Sequence, residues 1–571
     1  MSVDLVLLHP PTVYDFRQKT ILYGPVSDVV PSTPIFEMYP IGLASIAEYL
    51  ERAGYQVRIM NLAVRMLNDK KFNAEVMIKR LRSPVFGIDL HWLVHAHGAI
   101  EIAKLVKEYH PEAKVVVGGF SASYYYHELF NYPEIDYVLR GDSTEEPFRQ
   151  LMDCIKNKRE PETVPNLVWR DSQGRIQENP FSYIPTDLSN VMLNHYGNII
   201  RSVIRYRDLA SYAPTRDWLR YPITAVFTCR GCVNNCAICG GSAKAFQCFY
   251  NREKVAFRSP SLVFQEVKQI ERFSNGPIVV LGDIRQAGED YANELLSLLQ
   301  KNRVKNEFIL EVFSPASKDF LRQMSLSCRN FCLEISPESH DPEVRRAAGR
   351  HYSNHELEQT LSDALDVGCR RLDVFFMIGL PRQTPQSVID TIDYCGFLFE
   401  KFKGDKRLTL QIAPLSPFLD PGSLAFEQPE RYGYRILFRT LEEHRQALLA
   451  PSWKYSLNYE TEWMTRQQIA DTSYEAILRL NRLKAKYGVI SKEMAEAGER
   501  RIQAAWEMAH RIDDILARGN HQEELSRLKS RIDEINAFPV VERTQLEVPI
   551  GLIKLKLWRA LWSWVTGKVG G

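Results

Sequence analysis

The chain has little net charge, few cysteines and no long apolar run. Its 72 basic and 70 acidic residues leave a formal net charge of +2, so the charge balance does not call for a nucleic-acid partner. Six of the ten cysteines lie outside one local cluster and are scattered without a disulfide framework. This favours a reducing cytosol. No stretch of about 20 uncharged apolar residues indicates a clear membrane span. No repeat recurs at a fixed period.

The length of 571 residues and the alternation of apolar runs with helical segments predict several α/β units. Residues 1–160 predict a doubly wound, Rossmann-like parallel sheet, and the chain starts with a strand pattern rather than a secretion signal. Residues 161–220 show no clear period and predict a connector along the surface. Strand–helix alternation returns over 221–430 and predicts a full or partial (β/α) barrel. Residues 431–545 predict a helical C-terminal domain.

The last segment, residues 546–571, predicts an amphipathic helix. Over 550–568, tryptophan and aliphatic residues share one broad face, and Lys556, Arg559 and small polar residues share the other. A basic, tryptophan-rich amphipathic helix is typical of a membrane surface, while docking on the protein's own core or on a subunit is the alternative. We therefore expect a cytoplasmic protein, with peripheral attachment to the inner face of the membrane as one option.

Four cysteines fall in the eleven residues from Cys229 to Cys239, where about 0.2 would be expected by chance. Three of them, Cys232, Cys236 and Cys239, have the spacing CxxxCxxC. Thiolates this close together suit zinc or an iron–sulfur cluster. Three ligands with no obvious fourth predict a four-iron cluster with one iron open to a substrate or cofactor, unlike a closed zinc site. The motif follows a predicted strand, which places it at the carboxyl rim of the barrel.

This segment resembles the signature of radical S-adenosylmethionine (radical SAM) enzymes. The resemblance implies that the three cysteines hold a [4Fe-4S] cluster whose fourth iron is chelated by S-adenosylmethionine. Reduction of the sulfonium would then give a 5′-deoxyadenosyl radical that abstracts hydrogen from an unactivated carbon. The resemblance also implies an electron donor such as a ferredoxin or a flavodoxin. Ile238 stands where the family often has an aromatic residue near the adenine, and we expect weaker stacking there.

Later elements resemble the family's contacts with S-adenosylmethionine. A Gly-Asp pair stands in the place of the Gly-Gly-Glu motif. A Ser-Pro-Glu-Ser segment is followed by an arginine twelve residues past its glutamate, and a Gly-Leu-Pro turn comes next. For the glutamate and arginine, a surface ion pair is the alternative. Carried over by position, the residues that bind S-adenosylmethionine are Ile238, Gly282, Asp283, Ser336, Glu338, Arg350, Gly379 and Pro381.

The predicted N-terminal sheet resembles the cobalamin-binding domain that precedes the barrel in one subclass, the uncharacterised cobalamin-domain radical SAM proteins. The Asp-x-His-x-x-Gly loop that supplies a histidine ligand elsewhere is missing, and Asp89-Leu90-His91 has only its first half. For His91 a polar loop residue is the alternative to a metal ligand, and for the paired glycines a tight turn. Carried over, the cobalamin-binding residues are Pro10, Asp89, His91, Gly118, Gly119 and Gly141.

The resemblance implies methyl transfer to an unactivated carbon of an apolar or lipid-like substrate. One S-adenosylmethionine would methylate cobalt, and a second would generate the substrate radical. One alternative is a cobalamin-independent radical reaction, namely carbon–carbon coupling, cyclisation or rearrangement. The other is a non-enzymatic, metal- or cluster-bearing assembly protein. The sequence assigns no catalytic residue beyond the metal and cofactor ligands.

Overall fold

The computed structural model describes residues 3–24, 40–193, 195–519, 522–537, 555–556 and 558–559. Within these ranges, no helix combines the length and the apolar character needed to cross a membrane. Most of the amphipathic helix predicted over 546–571 lies outside the described residues.

The N-terminal region is built on a seven-stranded sheet whose first five strands are parallel. The strand order is β2-β1-β3-β4-β5-β6-β7. In a doubly wound sheet of this order, a ligand crevice opens where the winding reverses, at the carboxyl ends of the first and third strands. The strands are β1 (Leu5–His9), β2 (Val57–Asn61), β3 (Val85–Asp89), β4 (Lys114–Gly118), β5 (Tyr137–Leu139), β6 (Leu167–Arg170) and β7 (Ile176–Glu178).

Helices cover this sheet, and β1 and β3 are buried along their whole length. Asparagine side chains start two of the helices, because Asn61 accepts from the backbone N–H of Val64 and Asn73 from that of Val76. The helices are α1 (Ile41–Arg52), α2 (Leu62–Asn68), α3 (Ala74–Arg80), α4 (Ala96–Tyr109), α5 (Phe120–Tyr124), α6 (Tyr126–Leu129) and α7 (Glu145–Lys156).

The predicted connector at 161–220 contains regular structure that the sequence reading did not identify. Strands β6 and β7 form a hairpin that extends the first sheet in antiparallel fashion. Asp171 makes the turn, since its carboxylate accepts from the backbone N–H groups of Gln173 and Arg175. An aspartate whose side chain bonds the backbone two residues further on is a turn signal, so Asp171 could have predicted this hairpin. Helix α8 (His195–Tyr206) follows.

The second sheet has six parallel strands in the sequential order of a partial barrel. Within the described ranges, no strand pair joins its first strand to its last. Two short strands, β9 (Cys229–Arg230) and β10 (Ala256–Phe257), pair with each other outside it. The barrel strands are β8 (Thr224–Phe227), β11 (Ile278–Leu281), β12 (Phe308–Val312), β13 (Phe331–Glu338), β14 (Arg371–Ile378) and β15 (Leu408–Pro414).

Helices alternate with the barrel strands and carry regular caps. Ser259, for example, accepts from the backbone N–H of Leu262 just before a proline at the first helical position. The helices are α9 (Ala243–Phe249), α10 (Pro260–Phe273), α11 (Glu289–Asn302), α12 (Lys318–Ser327), α13 (Pro342–Ala347), α14 (Asn354–Asp366) and α15 (Pro385–Lys401).

The C-terminal region is mostly helical, as predicted, but it includes an antiparallel strand pair, the C-terminal hairpin, made of β16 (Tyr434–Ile436) and β17 (Tyr459–Thr461). The predicted helix from Tyr434 onward is a strand at its start, because the Tyr434 hydroxyl donates to the carbonyl of Gly379 in the barrel. The helices are α16 (Leu424–Glu427), α17 (Pro429–Tyr432), α18 (Leu441–Ala447), α19 (Arg466–Lys486), α20 (Lys492–Arg518) and α21 (Gln522–Asn536).

Candidate active site

A cavity of about 490 Å³ lies between the carboxyl ends of the two parallel sheets. Both its size and its position are typical of ligand sites in α/β proteins. One wall, here called the barrel wall, comes from the loops after β8 and β11. The other, the N-terminal wall, comes from the start of α1 and from the loops after β3, β4 and β5. The residues predicted from sequence that line it are Asp89, His91, Gly118, Gly119, Gly141, Cys232, Cys239 and Gly282.

The cysteine loop is fixed to the barrel rim by backbone contacts. The N–H of Ala237 donates to the carbonyl of Ala348 at 3.0 Å, and the carbonyl of Ala237 accepts from Ala425 at 2.8 Å. Gly349 has a φ of +97°, and a Cβ placed on it would lie 3.0 Å from the Cα of Cys236. Glycine is therefore needed for this close approach. The contacts hold Cys232, Cys236 and Cys239 on one short loop at the mouth of the barrel.

The three thiols of the loop are partly buried, and backbone N–H groups face two of them. The backbone N–H of Asn234 lies 3.4 Å from the sulfur of Cys232, and that of Gly241 lies 3.3 Å from the sulfur of Cys239. Burial raises the pKa of Cys236, and burial together with the nearby Asp420 raises the pKa of Cys239. The protonated thiols would lose their protons on binding iron, because a metal ligand must be a thiolate.

Glu338 and Arg350, which the sequence places among the S-adenosylmethionine contacts with a surface ion pair as the alternative, form an ion pair whose side chains are only 8% and 13% exposed. Arg350 donates to Glu338 through Nη2 at 3.2 Å and to the carbonyl of Phe313, which lines the cavity, at 3.0 Å. Glu338 has a φ of +68° at the end of β13, a backbone conformation that costs free energy for any residue but glycine. Its Oε2 atom is buried and has no hydrogen-bond partner among the described residues. A donor from a bound ligand would satisfy that oxygen.

The structure divides the predicted Gly-Asp pair between two roles. Gly282 lines the cavity, and its N–H donates to Glu311 at 2.8 Å. Asp283 instead pairs with Arg285 at 2.6 Å and accepts from the N–H of Phe313 at 2.9 Å. Its carboxylate therefore holds the rim of the barrel together, whereas Glu311, which the sequence reading missed, lies against the backbone of Gly282. An acid at the end of the next strand could have signalled this.

Other predicted contacts lie away from the cavity lining. Ile238 is 8% exposed and packs in the main core. Gly379 is covered by the C-terminal hairpin, where a Cβ on it would lie 2.1 Å from the hydroxyl of Tyr459. Tyr434 and Tyr459 were not identified from sequence, because nothing local relates them to this turn. Within the described part of the chain, the lining also lacks six more predicted residues and one cysteine, namely Pro10, Asp283, Ser336, Glu338, Arg350, Pro381 and Cys236.

Glycines give the N-terminal wall its shape. Gly119 has a φ of +120°, and a Cβ on it would lie 2.4 Å from the Cα of His91. Gly141 has a φ of +105° and packs against the ring of Phe181. Only glycine allows the backbone at the ends of β4 and β5 to approach so closely. Gly119 therefore does more than turn the chain, because its missing Cβ lets the backbone lie directly against His91.

Four polar residues meet at the reversal point of the first sheet. Asp89, at the end of β3, contacts Nδ1 of His9 at 3.0 Å and Nδ1 of His91 at 2.7 Å. Nδ1 of His95 lies 3.1 Å from the carbonyl of Pro10. Burial would raise the pKa of Asp89, but His9 and His91 lower it overall, while burial lowers the pKa of His95. The sequence reading identified Asp89, His91 and Pro10 but missed His9 and His95, which come from other segments.

Buried ion pairs join the two walls. Glu145 accepts from Nη1 of Arg230 at 2.9 Å, and Asp142 accepts from Nη2 of Arg252 at 2.9 Å. Burial would raise the pKa of Glu145, and the charge of Arg230 outweighs burial and lowers it. Arg230 stands two residues before Cys232, so the acidic loop after β5 is bonded directly to the cysteine loop. The sequence alone does not reveal these pairs, because their partners lie 85 and 110 residues apart in the chain.

A further contact joins the N-terminal region to the loop after β15, beside the last cysteine. Asp420 accepts from the indole N–H of Trp92 at 3.3 Å and from the backbone N–H of Gly240 at 3.1 Å. Nearby, Phe120 from the N-terminal wall packs against Phe246 and Tyr250 with ring centroids 5.6 and 4.8 Å apart. Polar and aromatic contacts together therefore hold one wall against the other.

Two known domain families match the two halves of this arrangement. Residues 28–151 match the B12 binding domain, and residues 226–395 match the radical SAM superfamily. Hopanoid C-3 methylase from Methylococcus capsulatus is 24% identical over 285 residues, covering 49% of this chain and 49% of that protein. Cytidylyl-2-hydroxyethylphosphonate methyltransferase from Streptomyces wedmorensis is 25% identical over 263 residues, covering 39% of this chain and 49% of that protein. The chain thus spans about half the length of these curated relatives.

Solved structures share the fold at low sequence identity. TsrM from Kitasatospora setae, a radical S-adenosylmethionine methyltransferase solved with cobalamin and a [4Fe-4S] cluster bound, gives a TM-score of 0.57 at 14% identity. The match covers 94% of this chain and 100% of that one. OxsB, solved with aqua-cobalamin and S-adenosylmethionine bound, gives a TM-score of 0.51 at 12% identity, over 95% of this chain and 74% of that one.

The residues present fit the cofactors that these two domains imply. The orphaned oxygen of Glu338 and the thiols of Cys232 and Cys239 in the cavity lining suit a ligand-bearing cluster on the barrel wall, and the backbone at Gly119, which lines the cavity, suits a group that lies against the N-terminal wall. The implied cofactors are a [4Fe-4S] cluster, S-adenosylmethionine and cobalamin. The chain thus carries, in this order, a region that matches the B12 binding domain and a region that matches the radical S-adenosylmethionine superfamily.

Proposed function

We propose that the protein is a cobalamin-dependent radical SAM methyltransferase that methylates an unactivated carbon. One observation carries this proposal: a single cavity is bounded on one side by the cysteine loop and on the other by the glycine loops of the B12-binding domain. Both cofactors would then face the same substrate. When bound, the cluster and S-adenosylmethionine supply a carbon-centred radical, and the cobalamin supplies the methyl group.

The chain's own residues would hold, orient and shield these groups. Cys232, Cys236 and Cys239 would be the cluster ligands. Arg350 is charged, buried beside Glu338 and close to Cys236, so it suits a carboxylate of the bound ligand. Gly118, Gly119 and Gly141 would let the cobalamin ring lie against the backbone.

The lining of the cavity favours an apolar substrate. Apart from a few polar residues such as Asp89, His91 and Arg230, the cavity presents mainly aliphatic and aromatic side chains, with Ser45 among few hydroxyl groups. Such a surface binds by exclusion of water and offers little to a charged substrate. That one curated relative is named a hopanoid methylase agrees with a lipid-like substrate. The apolar lining residues include Leu7, Ile41, Leu43, Ile46, Leu139, Phe148, Phe227, Phe246 and Leu281.

A lipid-like substrate also fits a membrane-facing C-terminal segment. Of that segment, Lys556 is bonded to the end of α10 through the carbonyls of Phe273 and Glu271 at 2.8 and 2.6 Å. Trp558 is 60% exposed, and the guanidinium of Arg559 lies over its ring. A tryptophan and a cation displayed together suit the interface of an anionic membrane. Vesicle sedimentation with and without anionic lipid tests this attachment.

Anaerobic reconstitution with iron, sulfide and cobalamin tests the proposed reaction. The reconstituted protein, given a low-potential ferredoxin or flavodoxin and S-adenosylmethionine labelled in its methyl group, is expected to release 5′-deoxyadenosine. It is also expected to pass the label to an apolar extract of the source organism. The Cys232→Ala variant, which keeps the B12-binding domain intact, is the matched control and should form no 5′-deoxyadenosine.

Three results would change the assignment. Formation of 5′-deoxyadenosine with no transfer of label, and no effect of omitting cobalamin, would favour radical coupling, cyclisation or rearrangement. Colourless protein with one tightly held zinc per chain and no S-adenosylmethionine cleavage would favour an assembly protein. Transfer of label only to polar metabolites would retain the methyltransferase and refute the apolar substrate.

A further inference from the structure

We propose that His9, Asp89, His91 and His95 form a binding site for one divalent transition-metal ion, separate from the cluster and from the cobalt of cobalamin. One ligand atom from each residue can be chosen so that all four atoms lie within 4.8 Å of one another. Three imidazoles and a carboxylate are the donors that Zn²⁺, Fe²⁺ and Co²⁺ prefer in proteins. No other group of this kind occurs within the described part of the chain.

The spacing of the rings suits a shared ion. The ring centroid of His95 lies 4.8 Å from that of His9 and 4.9 Å from that of His91. The centroids of His9 and His91 are 6.1 Å apart. Imidazoles that bind one ion at the usual metal–nitrogen length place their centroids roughly 5 Å apart. The three histidines therefore need only small movements to reach a common ion.

The contacts of Asp89 are equally compatible with an ion between the side chains. Its carboxylate lies 3.0 Å from Nδ1 of His9 and 2.7 Å from Nδ1 of His91. Neighbouring ligands of one ion at right angles are about 3.0 Å apart when each metal–ligand bond is near 2.1 Å. Binding would therefore replace shared protons by a cation while leaving the side chains almost in place.

A second contact fixes the orientation of His95. Its Nδ1 lies 3.1 Å from the carbonyl of Pro10, so Nδ1 carries the proton and Nε2 is the ligating nitrogen. Histidine ligands of metals usually have such a carbonyl or carboxylate partner on their other nitrogen, which sets the tautomer and the ring plane. Pro10 comes directly after His9, so the end of β1 supplies both a ligand and the orienting carbonyl.

The donor number separates this site from axial ligation of cobalamin. A corrin ring fills four positions on cobalt, so one face of the ring can accept only one imidazole. Three imidazoles and a carboxylate that converge exceed that need and suit an ion without a macrocycle. Asp89 and His91 line the cavity, while His9 and His95 are buried behind them. The ion would thus lie in the N-terminal wall, beside the cavity.

The test uses the full-length chain with Cys232, Cys236 and Cys239 replaced by Ala, so that no cluster thiolate can bind the added metal. After chelation and without cobalamin, the protein is titrated with Co²⁺ alone and, separately, with Zn²⁺ alone. We expect one ion per chain and a Co²⁺ absorption spectrum of nitrogen and oxygen ligands without thiolate charge transfer. Zinc should displace the cobalt.

Two variants in the same background locate the site. His91→Ala, the least buried ligand, and His95→Gln should each weaken binding by more than about 100-fold, beyond the loss typical of an outer-shell partner. His127→Ala, an exposed histidine of the same region, is the control and should bind as the parent does. Circular dichroism of the metal-free variants identifies any that fail to fold, and His91→Ala then decides, since its side chain is 22% exposed.

Substoichiometric metal, or metal that survives both substitutions, would overturn the proposal. So would a nitrogen hyperfine signal from His91 on bound cob(II)alamin in a protein that takes up no other ion. None of these readouts requires methyl transfer, so failure of the proposed reaction leaves the metal site standing, and loss of the metal site leaves the reaction standing.

Discussion

The two walls of the cavity gather their chemical groups in different ways. The barrel wall takes three thiols from eight consecutive residues, Cys232 to Cys239, on a partly exposed loop. The N-terminal wall takes three imidazoles and a carboxylate from three separate segments, and most of them are buried and bonded to one another. The first arrangement relies on a cofactor that brings its own geometry. The second is held by the protein itself.

The largest effect is expected from removing one thiol. Cys232→Ala leaves a four-iron cluster with two protein ligands, so formation of 5′-deoxyadenosine should fall to background while cobalamin still binds. Cys248→Ala, which removes an exposed cysteine on α9, should leave both unchanged. Chromatography of the nucleoside and the absorption spectrum of bound cobalamin measure the two outcomes. If Cys232→Ala lost cobalamin as well, cobalamin binding by the N-terminal wall would depend on the cysteine loop, contrary to this expectation.

This difference also explains what the sequence could predict. The thiol spacing is local, so Cys232, Cys236 and Cys239 could be identified without a fold, and strand–helix alternation predicted both parallel sheets. His9 and His95 could not be related to Asp89, because β1, β3 and the turn before α4 meet only in the folded sheet. Likewise Arg230 and Glu145 are 85 residues apart. Gly379 was placed near a ligand by its motif, but Tyr434 and Tyr459, far along the chain, cover it.

The next largest effect tests the ion pair between the walls. Arg230→Met leaves the buried carboxylate of Glu145 without its cation, which costs about 3–5 kcal/mol in comparable buried pairs. The thermal midpoint of the full chain should fall clearly, and adding Glu145→Leu should restore much of it. Arg346→Met, which breaks an exposed pair with Glu343, should cost less than about 1 kcal/mol. Equal effects of the two single variants would show that the walls do not depend on Arg230.

A smaller effect tests the close approach at Gly119. Gly119→Ala combines backbone strain at positive φ, about 1–2 kcal/mol, with a clash against His91 that adds about 1–3 kcal/mol. Gly54→Ala is the matched control, because Gly54 has a φ of +89° but open space around it. Thermal unfolding should therefore separate the two variants, and cobalamin uptake should weaken only in Gly119→Ala. If the two variants had equal thermal midpoints and equal cobalamin uptake, the backbone around Gly119 would adjust to the added methyl group without cost.

The smallest effect concerns a histidine outside both walls. Burial lowers the pKa of His444 to about 4 from an ordinary value of 6.5. Below pH 6.5, the His444 imidazole therefore binds a proton in the unfolded chain. In the folded chain it binds that proton only near pH 4. The stability that this neutral imidazole contributes is full above pH 6.5 and is lost as the pH falls toward 4, by up to about 1.4 kcal/mol per pH unit.

Unfolding by urea between pH 7 and 4.5 measures this dependence. His444→Gln should flatten the loss of stability on acidification by up to one proton, whereas His355→Gln, at an exposed position on α14, should leave the slope unchanged. An unaltered slope in His444→Gln would show that His444 takes no part in acid destabilisation.

The most direct test of the central claim, that both walls serve one reaction centre, is electron paramagnetic resonance of the fully reconstituted protein. With the cluster reduced and cobalamin in its cob(II)alamin state, the two paramagnets should lie in the same cavity. Each signal should then be broadened by the other, and the broadening should disappear in Cys232→Ala. Two sharp, independent signals in a protein that holds both cofactors would contradict the account.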